Sequence, residues 1–446
     1  MSTSSVKNLL LPRLFLSITC LVVFFTLYQS YNFSTNALLG SDEARYIIRS
    51  TTRFFQAGSY ADYRDVLFSH HANHLLLGMQ LMSIGSYYLT GAINIKLINL
   101  FCTFLIVVSG MTILFWKKYF WQQRVFLAAI VMPVLLTPSH NTCMLSAACT
   151  ANHYFGLALG VISLYLFANT NRGFRFFVFA ELLMILSTYS FASGIALCLF
   201  AGCLLLFCQS ADRYFYCLAH VVISFLLVFS YFFLVSPLES APVEVSSLAG
   251  LLSIFLQILF WFVGACGYAF FWLANDYGVI VFLLGLMLFL STCIYSGKNI
   301  YDILRNHLFL FVAMLYCLST IGVIATGRYF SFQPTARYSL YAVFFLAFFL
   351  ALLVDRKYLA AENRSSLPSP LWCFPGLVFV YYLIGFSVHY PDAVDLHQRG
   401  VICESRWRKG EHPNQKGASC AQFMKVDEMQ VILDEAAEIG IFDPAQ

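Results

Sequence analysis

The chain has 446 residues, of which 60% are hydrophobic and only 11% are charged, with a formal net charge of +4. Apolar runs of 15 to 25 residues recur from end to end. Each run can cross a hydrocarbon core about 30 Å thick as a helix that satisfies its own backbone polar groups. This composition excludes a soluble globular protein and predicts an all-α polytopic membrane protein. No basic stripe with interleaved aromatic residues occurs, so we expect no nucleic-acid partner.

In chain order, the apolar runs predict about eleven transmembrane helices. The first follows Lys7 and Arg13 and lacks a clear small-residue cleavage site, so we expect a retained helix with a cytosolic N-terminus. Short loops that carry Lys and Arg set the orientation of the later helices. The predicted spans are 14–31, 93–116, 125–139, 153–168, 176–189, 193–208, 218–235, 278–295, 308–326, 339–354 and 371–388.

Two further apolar stretches, 75–90 and 251–274, do not fit this alternation. Each could be an interfacial or re-entrant segment on the outer side, or a merged pair of helices. The spans predict one transmembrane domain, 1–388, with a large outer loop at 32–92, and a periplasmic tail, 389–446.

Two cysteines in the polar tail, Cys403 and Cys420, differ from the others, most of which lie in apolar runs. A cysteine in an apolar run behaves as a small hydrophobic residue. On an oxidising side of the membrane, Cys403 and Cys420 could instead form a disulfide that stabilises a tail with little core.

The first outer loop opens with GSDEARYIIRS, residues 40–50, in which Asp42 and Glu43 follow a strongly apolar run. Four arginines in this loop run against the positive-inside tendency, which suggests an anionic ligand. They are Arg45, Arg49, Arg53 and Arg64. The alternative is that these arginines pair with the loop's own acids, Asp42, Glu43, Asp62 and Asp65.

The remainder of this loop has a definite layout. A helix lying on the membrane is predicted from Ala44 to Phe55, for which Asp42 could serve as the N-cap. A turn at GSYADYRD, a polar segment HHANH at 70–74 and a second surface helix at 75–91 follow. His70, His71, Asn73 and His74 could contact a substrate or simply be interfacial, and a helical segment would let His70 and His74 share a metal ion.

This order of elements resembles the GT-C glycosyltransferases, membrane enzymes that use polyprenyl-phosphate sugars and include the lipid A aminoarabinose transferases and protein O-mannosyltransferases. The resemblance covers 41–101 and begins with the acidic pair in Asp42-Glu43-Ala44-Arg45-Tyr46. A fainter similarity lies in GRYFSFQPTARY, 327–338. The prolines usual in the polar segment are absent, and the outer segment 138–156 lacks an acid that some relatives carry. Metal dependence is therefore not carried over.

The resemblance implies an inverting enzyme that moves a sugar from polyprenyl phosphate to an external glycan or lipid-linked acceptor. Asp42 matches the family's acidic position and would be the base, with Glu43 as second choice or as the group that orients Asp42. Arginine binds phosphate through two parallel hydrogen bonds, which makes Arg45, Arg328 and Arg337 candidate phosphate ligands. Arg337 could also be a snorkelling interfacial arginine beside Tyr338, itself a candidate substrate contact.

Length, hydrophobicity and the outward tail are similar to those of the serotype-converting glucosyltransferases. This similarity makes glucose the expected sugar, O-antigen the expected acceptor, and a bacterial inner membrane with a periplasmic active site the expected location. A flippase or transporter of polyprenyl-linked sugars and an O-antigen ligase or polymerase are alternatives. No cofactor is predicted, although a divalent metal ion could be bound.

Overall fold

A computed structural model of the chain describes residues 3–36, 42–71, 74–138, 144–207, 211–234, 248–273, 279–328, 338–359, 369–409 and 426–442. These residues are almost entirely helical. The long helices are α1 (Thr3–Asn32), α5 (Ile95–Phe115), α6 (Trp121–Leu135), α7 (Phe155–Phe167), α8 (Phe174–Ser190), α9 (Ile195–Leu206), α10 (Arg213–Leu234), α11 (Leu248–Gly267), α12 (Val279–Asn306), α13 (Leu308–Arg328), α14 (Ser339–Val354) and α15 (Cys373–Arg408).

Nine helices in the described part of the chain are long and apolar enough to cross a membrane. The prediction of an all-α polytopic membrane protein is confirmed. Each of the eleven predicted spans overlaps one of the helices above, but α6, α8 and α9, with 15, 17 and 12 residues, are too short to count among the nine. The difference is α11, because the unplaced stretch 251–274 forms a helix with the length and composition of a span, followed by the 3-10 segment Tyr268–Leu273.

The most buried span contains α14, at the centre of the bundle. In the most apolar part of this span 83% of the residues are buried inside the protein, whereas the value for α10, at the perimeter, is 17%. Phe344, Phe345 and Phe348 are fully buried in α14, which contacts α6 and α13. A helix that is apolar on all sides suits such a position. Phe225 and Phe229 on α10 are instead largely exposed, as expected for side chains that face lipid.

Helices α11 and α12 approach one another closely at two glycines. A Cβ atom added at Gly267 would collide with the carbonyl oxygen of Val281, and one added at Gly285 would collide with that of Val263. Small residues permit this kind of backbone contact between membrane helices. The contact gives α11 a fixed place in the bundle.

The first outer loop begins with a π-helical turn, Glu43–Ile48, which continues into α2 (Arg49–Gln56). The predicted surface helix is therefore present, but Asp42 makes no side-chain capping hydrogen bond. The predicted turn at GSYADYRD is instead the start of α3 (Tyr60–Leu67). Ser59 and Asp62 form a capping box there, because each side chain bonds the backbone of the other residue.

The rest of the loop is a short hairpin followed by a helix. Strand β1 (His70–His71) pairs antiparallel with β2 (His74–Leu75). Helix α4 (Leu77–Thr90) follows and ends at Gly91, whose φ of 77° is the left-handed conformation that glycine adopts readily at a helix end. At 14 residues, α4 is too short to be one of the nine candidate spans.

The C-terminal region folds back onto the first outer loop. Helix α15 runs alongside α1: the Trp372 ring, just before α15, stacks on Phe15 at 5.4 Å, and Glu404 accepts a 2.5 Å hydrogen bond from the Asn36 amide. The predicted tail boundary at residue 389 lies within α15. A last helix, α16 (Val426–Glu438), contacts the turn Glu43–Ile48.

Candidate active site

Two π-helical turns meet at the outer ends of α1 and α5. One is Glu43–Ile48, and the other is Thr150–Tyr154, directly before α7. The Ser146 hydroxyl joins them, donating a 2.7 Å hydrogen bond to Glu43 Oε1. Single π-helical turns are rare and often mark functional sites, because the extra residue reorients side chains.

Glu43 is 2% exposed. Its partner Ser146 also accepts, at its backbone carbonyl, a 3.2 Å hydrogen bond from Thr150, which belongs to a network of buried polar side chains. Thr150 donates a 2.6 Å hydrogen bond to Asn99 Oδ1, and Asn99 Nδ2 donates a 2.9 Å bond to the Ser34 hydroxyl. A buried network with satisfied members is rigid, because leaving a member without its partner is costly in a low dielectric. The network therefore fixes the position of the turn that carries both acids.

Asp42, the neighbouring acid, is only half-buried. It makes no hydrogen bond or ion pair with any residue that the structure describes. Its charge nevertheless affects Tyr46. The pKa of Tyr46 is raised mainly by burial and, to a smaller extent, by the nearby Asp42 carboxylate. The acidic pair thus consists of one buried, hydrogen-bonded carboxylate and one available carboxylate.

The four arginines of this loop divide into two pairs. Arg45 forms a bidentate ion pair with Glu428 of α16 at 3.0 and 2.7 Å, which raises the pKa of Arg45, and Arg64 pairs with Asp65 at 2.7 Å. Within the described residues, Arg49 and Arg53 have no ion-pair partner, and Arg49 Nε is buried without a hydrogen bond. Pairing with the loop's own acids therefore accounts for Arg64 alone, because Arg45 pairs with an acid of α16 and the other two pair with no described residue.

An aromatic cluster lies beside the second π-helical turn. The buried His153 ring lies 2.9 Å from the Tyr341 hydroxyl through Nδ1, and it packs edge-on against Phe191 and Tyr338. Tyr338 also contacts Trp261 of α11. Tyr338, a predicted substrate contact, is thus part of a packed cluster at the start of α14.

The remaining predicted ligands are described only in part. Arg328 is exposed at the end of α13, whereas Arg337 and Asn73 lie outside the described residues. For His70, His71 and His74 the backbone alone is described, and His71 pairs with His74 across the hairpin. This extended pairing removes the helical spacing on which a shared metal site depended. The described residues contain no cluster of metal-ligating side chains.

Two residues of the site could not be found from the sequence. Ser146 lies 103 positions from Glu43, and Glu428 lies 383 positions from Arg45. Neither belongs to a motif, and both partners are ordinary polar residues whose roles depend on the packing of distant helices. Only the charge of Arg45, unusual in an outer loop, signalled that a partner existed.

No family model and no curated protein matches the chain. Two solved structures are similar. The structure of ArnT from Cupriavidus metallidurans bound to undecaprenyl phosphate is 14% identical, covering 96% of this chain and 75% of that chain, with a TM-score of 0.43. The archaeal oligosaccharyltransferase AglB from Archaeoglobus fulgidus, in complex with an inhibitory peptide and a dolichol-phosphate, is 13% identical, covering 92% of this chain, with a TM-score of 0.44.

This chain spans 60% of the AglB chain, less than two thirds of its length. Because both TM-scores lie below 0.5, neither similarity establishes a shared fold or a shared activity. The chain is a multi-pass helical membrane protein in which Asp42, a half-buried carboxylate, makes no hydrogen bond or ion pair with the described residues.

Proposed function

We propose that the chain is an inverting GT-C glycosyltransferase, which moves a sugar from a polyprenyl-phosphate donor to an external glycan. Glucose is the proposed sugar and O-antigen lipopolysaccharide the proposed acceptor. One observation supports this proposal: Asp42 is a half-buried carboxylate with no hydrogen bond or ion pair to the described residues, and it stands next to Glu43, which is held by a buried hydrogen bond from Ser146.

In the proposed reaction the acceptor hydroxyl oxygen attacks the anomeric carbon of the donor sugar. The bond from that carbon to the phosphate oxygen breaks, its electron pair leaves with the polyprenyl phosphate, and the hydroxyl proton passes to Asp42. Base catalysis of this kind typically accelerates a reaction by ~10²–10⁴. Direct displacement inverts the anomeric centre. Glu43 positions Asp42 and is not itself the base, since it is buried and already hydrogen-bonded.

The leaving phosphate requires cations at the height of the lipid headgroups. Arg328 and Arg337 remain proposed ligands, and Arg49 is added to them because its buried Nε has no hydrogen-bond partner among the described residues. A guanidinium group in a partly dry site binds phosphate strongly through charge-assisted hydrogen bonds. Arg45 is a weaker candidate, because Glu428 already occupies the edge of its guanidinium formed by Nε and Nη2.

The proposed location is a bacterial inner membrane, with a cytosolic N-terminus and a periplasmic site and C-terminus. Cys149 lies just before the second π-helical turn and Cys403 lies near the outer end of α15, and both are disulfide-bonded. Cys420, the expected partner of Cys403, lies outside the described residues. Disulfides persist in oxidising compartments such as the periplasm, which supports placing this end of the bundle there.

The test is a reconstituted reaction. Purified full-length protein in detergent is given synthetic polyprenyl-phosphate glucose, together with lipopolysaccharide from cells that lack this protein. Mass spectrometry of the polysaccharide should show the added mass of one or more hexoses, with inverted linkage by NMR. A flippase would leave the acceptor unchanged, because detergent provides no membrane to cross; an unmodified acceptor would therefore contradict the proposal.

A further inference from the structure

A polar cleft of about 330 Å³ lies between α2 and α3, away from the acidic pair. Its walls are formed by side chains from both helices and from the segment that leads into β1. They include Ser50, Arg53, Gln56, Asp62, Asp65 and Ser69. Ser50, Arg53 and Gln56 recur every three residues and therefore share one face of α2. The proposed transfer reaction uses none of these side chains.

The charged groups of the cleft are mostly available. Arg53 is exposed and, among the described residues, has no hydrogen bond or ion pair. Asp65 pairs with the exposed Arg64 and with no other described residue. Asp62 is held in place by Ser59, whose hydroxyl, with the amides of Gly58 and Ser59, lowers the pKa of Asp62. Asp62 therefore stays ionised in mildly acidic surroundings.

This arrangement suits a neutral polyhydroxylated ligand better than an anion. One wall offers guanidinium and amide donors, whereas the other offers two carboxylates, and carboxylates accept hydrogen bonds from hydroxyl groups. Because Arg53 and the Arg64 that pairs with Asp65 balance the two aspartates, the cleft has no net charge that would attract phosphate or sulfate. Phe54 and Tyr63 pack edge to face at 5.1 Å on the same two helices, and Tyr60 at the start of α3 is 84% exposed. Aromatic rings of this kind supply apolar contact area for the faces of sugar rings.

The cleft is separated from the proposed base along one continuous helical segment. Eight positions divide Asp42 from Ser50, which is ~12 Å at the helical rise of about 1.5 Å per residue. A single sugar ring cannot contact both places. A glycan of several residues can present one hydroxyl at Asp42 while another of its sugars lies against Arg53.

We propose that the cleft between α2 and α3 binds a neutral sugar residue of the acceptor glycan, at a distance from the residue that receives the new sugar. This inference rests on the proposed function for the identity of the ligand. It adds a substrate requirement: the acceptor is an oligosaccharide or polysaccharide, and its length determines its affinity.

The test compares wild-type protein with Arg53→Ala and Asp65→Asn. Both residues are exposed, so the variants should fold. Arg172→Ala is the matched control, since it removes an exposed arginine from a loop that lies outside the cleft. The acceptors are lipid-free polysaccharide, released from lipopolysaccharide of cells lacking the protein, and the monosaccharides obtained from it by hydrolysis. Binding to the full chain in detergent is measured by calorimetry, and transfer from polyprenyl-phosphate glucose is measured in parallel.

We expect each cleft variant to bind the polysaccharide about tenfold more weakly, the effect of one hydrogen bond to a charged group. KM for the polysaccharide should rise equally while kcat is unchanged, because the lost contact stabilises ground state and transition state alike. Binding of the monosaccharides should be unaffected, as should the control variant. Unchanged binding in the variants, or an equal loss for both acceptors, would overturn the inference.

The binding measurement also separates this inference from the proposed function. Weaker binding in the cleft variants, with no transfer even by wild-type protein, would support the cleft and refute the transferase. Transfer by wild-type protein that neither variant impairs would refute the cleft alone. A wild-type protein that does not bind the polysaccharide would refute the cleft.

Discussion

Each end of the bundle holds a carboxylate among polar side chains, and the two carboxylates differ in burial and in pairing. At one end, Asp42 is half-buried and has no hydrogen bond or ion pair in the described structure. At the other end, Asp355 is fully buried; its Oδ2 accepts a 2.9 Å hydrogen bond from Lys117 Nζ and lies 2.6 Å from His307 Nδ1. Asp355 thereby ties the α5–α6 loop and the start of α13 to the end of α14.

Because of this difference, Asp42 is suited to catalysis, whereas Asp355 is suited to holding the helices together. A base must reach its substrate and must not be neutralised by a permanent partner. A buried carboxylate must be paired, because an isolated charge in the interior is costly. Burial lowers the pKa of Lys117 while Asp355 opposes that shift, so the pair keeps its charges only as long as both partners remain. We therefore expect substitutions at the two ends to affect different properties.

The largest expected effect is on activity, from Asp42→Asn. If Asp42 is the base, the rate of transfer should fall by ~10²–10⁴. The thermal unfolding midpoint should stay the same, because Asp42 has no hydrogen bond or ion pair with the described residues to lose. Transfer by the purified variant and its melting curve in detergent measure the two effects. Asp395→Asn, which removes an exposed acid paired with Arg399, is the control. Retained activity in Asp42→Asn would refute the assignment of the base.

The next effect is on stability, from Asp355→Asn. Removing one partner of a buried pair costs about 3 kcal/mol, and the lower end of the usual range applies because Lys117 is 31% exposed. Thermal unfolding in detergent measures the loss. Asp302→Asn, which breaks the more exposed pair with Arg356, should cost less than ~1 kcal/mol. Equal destabilisation by the two variants would show that burial does not determine how much each ion pair contributes to stability.

A smaller effect that links the two properties is expected from Ser146→Ala. The substitution removes a hydrogen bond to the buried Glu43, worth about 1.5–3 kcal/mol for a charged group, and lets the turn that carries Asp42 move. We expect a modestly lower unfolding midpoint and about a tenfold lower kcat. Ser163→Ala removes a comparable buried bond, to Ala180 O, and should lower stability alone. If both serine variants kept full activity, Glu43 would have no positioning role.

The smallest effect is expected at the partly exposed ion pair between Arg45 and Glu428. Such pairs contribute about 0.2–1 kcal/mol, so Arg45→Ala and Glu428→Ala should each lower stability slightly and to a similar extent. The donor KM distinguishes this structural role from phosphate binding. A higher KM for polyprenyl-phosphate glucose in Arg45→Ala but not in Glu428→Ala would restore Arg45 as a phosphate ligand.

Most of the membrane helices could be predicted from hydropathy, because a span must be apolar along its whole length. Hydropathy does not place the stretch that forms α11, because the alternation of cytosolic and outer loops leaves no crossing of the membrane for it. Its position depends on the close approach of Gly267 and Gly285 to neighbouring backbone. Glycine makes such contacts possible, but a glycine in the sequence does not predict one, because glycine is common in membrane helices.

The outer loop was predictable to a similar degree. Its two surface helices were expected, and Gly91 ends the second as predicted. The capping box of Ser59 and Asp62 carries the usual serine signature, but it was interpreted as a turn. The hairpin at His70 and His74 was missed, because a strand of two residues has no periodicity to detect.

The sequence by itself determined that this is a polytopic helical protein and that four acids and four arginines stand at 42–65, after its first membrane helix. These are properties of composition and order. Only the tertiary structure decided which acid is free, which arginines are paired, and that α16 returns to cover the turn of Glu43. The physical reason is that a charge acquires its role from its partners and its solvent, and those partners lie as many as 383 residues away.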